Sequence, residues 1–522
     1  MFLKMFVKRK KNRSGTTSVV VAEKYKGRYK ELITIGIGRG AEEVEKLVVE
    51  GKAWIAKEEQ RRHPQLDLFE EEKEACEKEI QEVNRLLSNV TNILINGSDL
   101  ILDRVFDSIG FNKIEDDIFR KLVKARLSYP ASKAATVEYL KNHFDDDVDL
   151  SKIYRYLDKL ADNQHDIVQD ISVKHTLELL GGNMGILFYD VTTLYFETDY
   201  EDDLRKRGFS KEGKHGNPQI LLGLLVSLDG YPLAYCIHEG NKYEGHTMLP
   251  MIESFIKQYE LEDFVVVADS GLMNDDNITR LENERYKYII GARIKNESNH
   301  VKQWILEQPK IDKQMAEYKK SGTRRLLIGY TDDRAKKDAY NRERGIRRLE
   351  KAYKRGTLTK DNVNKRGYNK FLTMRGDVKV EIDYDKIKED ERWDGLKGYL
   401  TNTTIAPDKV YAAYHNLWHV ERAFRIAKSK IEIRPMFHFT RRRIEAHVCI
   451  CFVALKVYKE LDRILKEARI ELSVDKVLNL SKTITTIEIR LPKNKKTVRK
   501  TMIMHRHKKI AKLFDENFWG TH

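Results

Sequence analysis

Three carboxylates stand where a carboxylate is costly or conspicuous. Asp190 lies inside "LFYDVTTLYFE" (residues 187–197), whose apolar and β-branched residues otherwise predict a buried strand. An unpaired charge there is expensive, so either a cation neutralises it or the strand end opens to water. Asp269 follows the apolar run "FVVVA" and precedes Ser-Gly. In open α/β sheets functional groups collect at strand carboxyl ends, where the backbone leaves the core. Glu421 sits in "DKVYAAYHNLWHVERAFRIAKSKI", which predicts one helix. Its Val420, Ala423, Phe424 and Ala427 form the core stripe. Tyr414, Glu421 and Lys428 recur every seven residues, and Arg425 joins their face. A plain surface helix would use Glu421 and Arg425 only as an ion pair. Three carboxylates with a tyrosine, an arginine and a lysine suit phosphodiester chemistry instead. That chemistry needs an attacking oxygen activated and a leaving oxygen stabilised, which two Mg²⁺ ions about 4 Å apart accomplish. Such ions take hard oxygen ligands from few carboxylates plus substrate phosphates. On this reading a divalent ion neutralises Asp190.

The elements that must position these residues follow from periodicity. Residues 1–62 predict a small β-hairpin/helix module, with two strands split by "YKGRY" and then "AEEVEKLVVEGKAWI" as a short helix. Residues 63–180 predict a helical linker and DNA-binding region, with a helical spacer as the alternative. Its charged stretch "EEEKEACEKEIQEVNRLL" precedes three helices, in "DDIFRKLVKARLSYP", "SKAATVEYLKNHF" and "DLSKIYRYLDKLADN". Over 181–300 the period changes. "MGILFYDVTTLYFE" and two strands around Asp229-Gly230 predict an antiparallel meander. "DFVVVADSGL" reads as a buried parallel strand between helices, and "YKYIIGARIK" as another strand. The fold class is therefore α/β with a mixed sheet. Charged residues 301–392 predict an insertion domain. Residues 393–470 return with the strand "GLKGYLTNTT", the Glu421 helix and the apolar helix "RRRIEAHVCICFVALKVYKELDRIL". Residues 471–522 predict a basic tail with a hairpin around "KNKK".

Composition narrows the class. Of 522 residues, 96 are Lys or Arg against 81 Asp or Glu, a formal charge of +15 that favours a polyanionic partner such as nucleic acid. The opening "MFLKMFVKRKKNR" lacks the order of a signal peptide, since its basic residues follow the short apolar run. No stretch of about 20 apolar residues predicts a membrane span. Four scattered cysteines, Cys76, Cys236, Cys449 and Cys451, fit neither a disulfide scaffold nor a zinc site and point to the reducing cytoplasm.

In this order the blocks resemble the DDE transposases of bacterial insertion sequences, which have an RNase H-like catalytic core. They look most like the group with the YREK signature, Tyr-x2-Arg-x3-Glu-x6-Lys, which excises its element through DNA hairpins. Tyr414, Glu421 and Lys428 match that spacing, and Leu417 stands at the Arg position. Arg425 and His419 are the nearby candidates to replace the missing charge. "YDVTTLYFE", "LLVSLDGYPL", "EGNKYEGHT", "VADSGL" and "YIIGAR" look like successive core blocks, interrupted by an insertion domain before the Glu421 block.

The resemblance implies that Asp190, Asp269 and Glu421 are catalytic and bind two Mg²⁺, with Mn²⁺ able to substitute. It implies water attack at the element end, hairpin formation by the freed 3′-OH, and joining to target DNA. Tyr414 and Lys428 would contact phosphates, with Arg425, and Arg434 would line the DNA channel with Arg441, Arg442 and Arg443, a solvated turn being the equal alternative for those three. Trp393 or Trp418 would stack on a flipped base, the alternative for each being a core role. His238, Glu244 and His246 are expected to support the site or the fold. The expected partners are double-stranded DNA, as element ends and target, and a second copy on paired ends; the expected place is the nucleoid. Two rivals stand beside this reading: a domesticated DNA-binding protein that no longer cuts, and an RNase H-like nuclease with another substrate.

Overall fold

The computed structural model describes residues 4–25, 27–62, 64–210, 213–272, 274–364, 366–375 and 379–520. It divides into two units. One comprises Leu94–Thr486 with Thr501–His522, and the other Met1–Ile93 with Ile487–Lys500.

The larger unit is built on one eight-stranded sheet. Its strands are β1 (Ile186–Tyr195), β2 (Gln219–Ser227), β3 (Pro232–Glu239), β4 (Val265–Ala268), β5 (Lys287–Ala292), β6 (Met315–Lys319), β7 (Arg325–Tyr330) and β8 (Leu396–Thr401). Their spatial order is β6-β7-β8-β5-β4-β1-β2-β3. The first three strands pair antiparallel, whereas β4 runs parallel to both β1 and β5. This is the mixed α/β sheet the RNase H-like reading expects. β8, β7 and β6 then extend it antiparallel beyond β5. Two strands of the stretch 301–392 thus continue the sheet rather than leave it.

The sheet is buried on both faces, which is why its strands are nearly continuous apolar runs. Phe188 and Val267 point into one core, while Tyr189 and Ala268 point into the other. The Asp229-Gly230 turn closes the β2–β3 hairpin as the dipeptide predicts. Gly230 takes φ +76°, and Ser227 N donates to Tyr231 O at 3.0 Å.

Five helices pack on the sheet or flank its carboxylates: α1 (Leu150–Leu179), α2 (Asp332–Lys354), α3 (Pro407–His415), α4 (Trp418–Ser429) and α5 (Arg441–Glu467). α5 is the apolar helix of the sequence, and Cys449 and Cys451 are buried in it as structural thiols. Burial pushes the Cys449 thiol up to about 12. α1 and the helices Gly97–Ile109 and Asp117–Ser128 pack on α5, so the helical region shares a core with the sheet. Between β7 and β8, α2 and the ribbon Leu372–Arg375/Lys379–Ile382 enclose a small core of Leu349, Phe371, Val380 and Ile387. Among the described residues no helix is long and apolar enough to cross a membrane.

The smaller unit holds a three-stranded antiparallel sheet, Met5–Lys11, Thr17–Tyr25 and Arg28–Gly38. The helix Ala41–Arg62 covers one of its faces through Val44 and Val48 against Val19. The "YKGRY" hairpin is present, but the sequence did not disclose the first strand or the full 22 residues of the helix. The strand's "KRKK" hides the alternation that sends Val7 toward the helix. Pro64–Leu87 is a second helix. The strand Val90–Leu94 lies beside Thr485–Arg490, which pairs with Thr497–Met502.

Candidate active site

β1 and β4 are neighbouring parallel strands in the register Tyr189↔Ala268. Asp190 and Asp269 are the next residues on each, so their Cα atoms lie one strand spacing apart, about 5 Å. Alternation sends both toward the face of Phe188 and Val267, over which α3 and α4 lie. Val191 N donates to Asp190 Oδ1 at 2.8 Å, and the carboxylate is half-buried. The Tyr414 hydroxyl donates to Asp269 Oδ1 at 2.7 Å. Burial, then the Asp269 charge, raises the Tyr414 pKa, so the phenol keeps the proton it donates. Gly291 on β5 makes room for this pair. A Cβ there would stand 2.6 Å from Tyr414 Oη and 3.3 Å from Asp269 Oδ1.

The single helix expected around Glu421 is two helices, broken at Asn416 and Leu417. Tyr414 therefore belongs to α3, and Glu421 and Lys428 to α4. Val420, Ala423, Phe424 and Ala427 are all buried, as the stripe predicts. α4 rests on β1 and β2, with Glu421 exposed in its first turn. In its last turn, Lys428 Nζ donates to Thr192 Oγ1 at 2.6 Å, two residues beyond Asp190 on β1. Leu417 is buried at the break. An arginine there would have to bury its charge.

His419 does not replace that missing cation. It stacks on Trp418 with ring centroids 4.0 Å apart and faces the β2–β3 turn, where a Cβ on Gly230 would lie 3.1 Å from its Nδ1. Burial, then Lys459, pushes its pKa down to about 4, so it is neutral near pH 7. Arg425 is exposed on α4, and Arg434 lies over the Tyr195 ring at 5.5 Å, past the end of the same helix. Trp418 is 44% exposed under Arg422. Trp393 packs on a small core and also lines a cavity of about 720 Å³ that contains Asp269. Lys242 Nζ lies 3.4 Å from His238 Nδ1 at the β3 end.

Two cations of this cavity carried no signal in the sequence. Lys397 on β8 places Nζ 4.3 Å from the centre of the Tyr414 ring. Burial and Arg334 lower its pKa, while Asp269 and Glu421 hold it up, so both carboxylates act on one ammonium. Arg334 comes from α2, the helix between β7 and β8, and lines the same cavity. "GLKGYL" reads as an ordinary strand with one lysine, and only the pairing of Gly398 with Ala292 brings that lysine beside Asp269.

The three carboxylates are a hard-oxygen donor set of the kind Mg²⁺ takes, with Asp190 inside β1 and Asp269 just past the end of the neighbouring β4. Among the described residues, however, no group of three His, Cys, Asp or Glu side chains is drawn to metal-binding distance. The donor types fit a divalent cation, while Tyr414 and Lys397 occupy the surroundings of Asp269.

A mixed sheet with carboxylates side by side on adjacent parallel strands, faced by a carboxylate-bearing helix, is a scaffold suited to phosphoryl transfer. The chain belongs to the family described as Transposase DDE domain, which it matches over residues 181–456, just over half its length and spanning all three carboxylates. Among solved structures, the cryo-electron microscopy structure of a piggyBac transposase synaptic complex with hairpin DNA is similar to it. The identity is 9%, the TM-score is 0.36, and 74% of this chain and 69% of that chain are covered. No curated protein sequence matches the chain.

Proposed function

We propose that this transposase binds the ends of its own insertion sequence, cleaves them through hairpin intermediates, and joins the 3′-OH ends to target DNA. The observation that carries the reading is the β1/β4 register, which sets Asp190 and Asp269 side by side on the face that α3 and α4 cover. Asp190, Asp269 and Glu421 are the residues that would hold a divalent cation, Mg²⁺ by preference with Mn²⁺ as substitute. When bound, it activates the attacking oxygen and stabilises the leaving one. Tyr414 fixes the carboxylate of Asp269 by its hydrogen bond. Lys397 offsets the like charges of Asp269 and Glu421, which otherwise repel each other and the incoming phosphate. Lys428, in the last turn of α4, and Arg425 would meet the phosphates that flank the scissile bond. With Leu417 at the signature's Arg position, Arg334 and Lys397 supply the nearest positive charge around Tyr414. Trp393, on the wall of the Asp269 cavity, is better placed than Trp418 to stack on an extruded base. A non-cleaving DNA-binding protein would leave this arrangement of three carboxylates without a use.

The test is Mg²⁺-dependent cleavage of a DNA carrying the gene's own flanking ends, with wild type and Glu421→Gln side by side. Cutting by the wild type alone is expected, with end binding kept by the variant. Equal cutting by both would remove Glu421 from the site.

A further inference from the structure

The chain has a strongly basic stretch at each end, residues 1–40 and 482–512, and the first of them builds a sheet. Residues 1–40 contain eleven Lys or Arg and two Glu, a net +9 out of the chain's +15. The helix that follows, Ala41–Arg62, carries six Glu against five Lys or Arg, so the charge belongs to the sheet and not to its covering helix. That helix covers one face. Arg9 reaches Glu45 on it at 2.6 Å, and Arg62 reaches back to Glu23 at 3.2 Å.

The opposite face follows from the register. Phe6 pairs with Ala22, Lys8 with Val20, and Lys24 with Tyr29, so these side chains share the side away from the helix. Tyr29 is 54% exposed and packs edge-on against Phe6, with ring centroids 5.6 Å apart. The ammonium groups of Lys8 and Lys24 stand 5.0 and 5.5 Å from the centre of its ring. Lys10 meets Glu31 at 3.3 Å, the one acid of this face. An aromatic platform flanked by two exposed lysines is thus held rigidly on a three-stranded sheet. Outer strand axes roughly 10 Å apart match a DNA major groove about 12 Å wide.

We infer that this face of the amino-terminal sheet is a duplex-DNA docking surface, separate from the catalytic carboxylates, with Lys8 and Lys24 on phosphates and Tyr29 against the groove. The inference rests on the transposase reading and names the part of the chain that grips the DNA.

The test uses the full chain and a 30-bp duplex from the gene's flanking sequence, with binding followed by fluorescence anisotropy across salt concentrations. Lys8→Gln/Lys24→Gln removes two charges from the open face, and Arg9→Gln/Arg62→Gln removes two from the helix side. Each lost phosphate contact lowers the slope of log affinity against log salt by about 0.9. The open-face double is therefore expected to lose about 1.8 of that slope and bind on the order of 10-fold or more weakly at low salt. It should still cut at the wild-type rate once protein saturates the DNA, and the helix-side double should keep the wild-type slope. Equal losses in both doubles would mean that only net charge matters, and would overturn the docking face. So would an open-face double that binds like wild type, or one that changes only the oligomeric state. In those cases wild-type cutting leaves the transposase reading standing, whereas a wild type that binds no DNA sinks both.

Discussion

Replacing Gly291 by alanine isolates the contact that orders the site. The new methyl would sit 2.6 Å from Tyr414 Oη, 3.2 Å from Ser270 N and 3.3 Å from Asp269 Oδ1. The last two distances can relax by a few tenths of an ångström. The first cannot, because Tyr414 Oη is held 2.7 Å from Asp269 Oδ1 and the ring is buried against Tyr399. Gly291→Ala is therefore expected to cost about 1–3 kcal/mol, as overpacking does. Tyr414→Phe should cost about 1.5–3 kcal/mol, the worth of a hydrogen bond to a charged group. The lower end is favoured because Lys397 stays beside the carboxylate. Phenylalanine also removes the atom that collides with the methyl. The double variant should accordingly lose at least about 1 kcal/mol less than the two singles together, a coupling within the usual range for touching residues. Urea denaturation of the four proteins measures this directly. Both singles should also cleave DNA on the order of 10²-fold more slowly, since small misplacements of reacting groups cost that much. Strict additivity of the two stability losses would refute the account of Gly291 as the space reserved for the Tyr414–Asp269 pair.

Three further outcomes are expected. Lys397→Met should cut DNA more slowly, with the loss smaller at high salt, where repulsion between Asp269 and Glu421 is screened; an unchanged rate at low salt would remove Lys397 from the site. His438 has its pKa pushed down to about 4 by burial, then by Lys133 and Arg126, and His419 is held equally low. Folded-state values below the usual 6.5 mean that protons bind the unfolded chain first, so stability is full above about 6.5 and falls toward pH 4. His438→Asn should flatten that fall in urea titrations, and an identical pH profile would contradict it. Light scattering under cleaving conditions should find two protein copies per pair of DNA ends, and a single copy would exclude a dimeric assembly.

The carboxylates Asp190 and Asp269 were legible because burial writes itself into sequence. An apolar run that stops at a carboxylate marks where a strand leaves the core, as at Asp269, and a lone carboxylate inside such a run marks a charge with a use, as at Asp190, beyond which β1 continues to Tyr195. Tyr414, Glu421 and Lys428 were legible from their spacing alone, and that spacing survives the break at Leu417 because Asn416 and Leu417 keep helical backbone angles. What was not legible came from distant pairing. Lys397 and Arg334 reach Asp269 only because β8 threads between β7 and β5. A charged segment such as Met5–Lys11 hides its alternation, since lysine and arginine stand on both faces of the strand.

That placement of β8 also sets a schedule. β5 ends at Ala292, and the strand that must pair with it begins at Leu396, 104 residues later (396 − 292). At ~5–20 residues per second on the ribosome, β5 waits for about 5–20 s with one edge open. Glu421 and the buried helix α5 emerge later still. A growing chain therefore carries its basic amino-terminal sheet into the cell well before it can assemble a cutting centre. If the amino-terminal sheet docks DNA as inferred above, the nascent protein would hold DNA before it could break it.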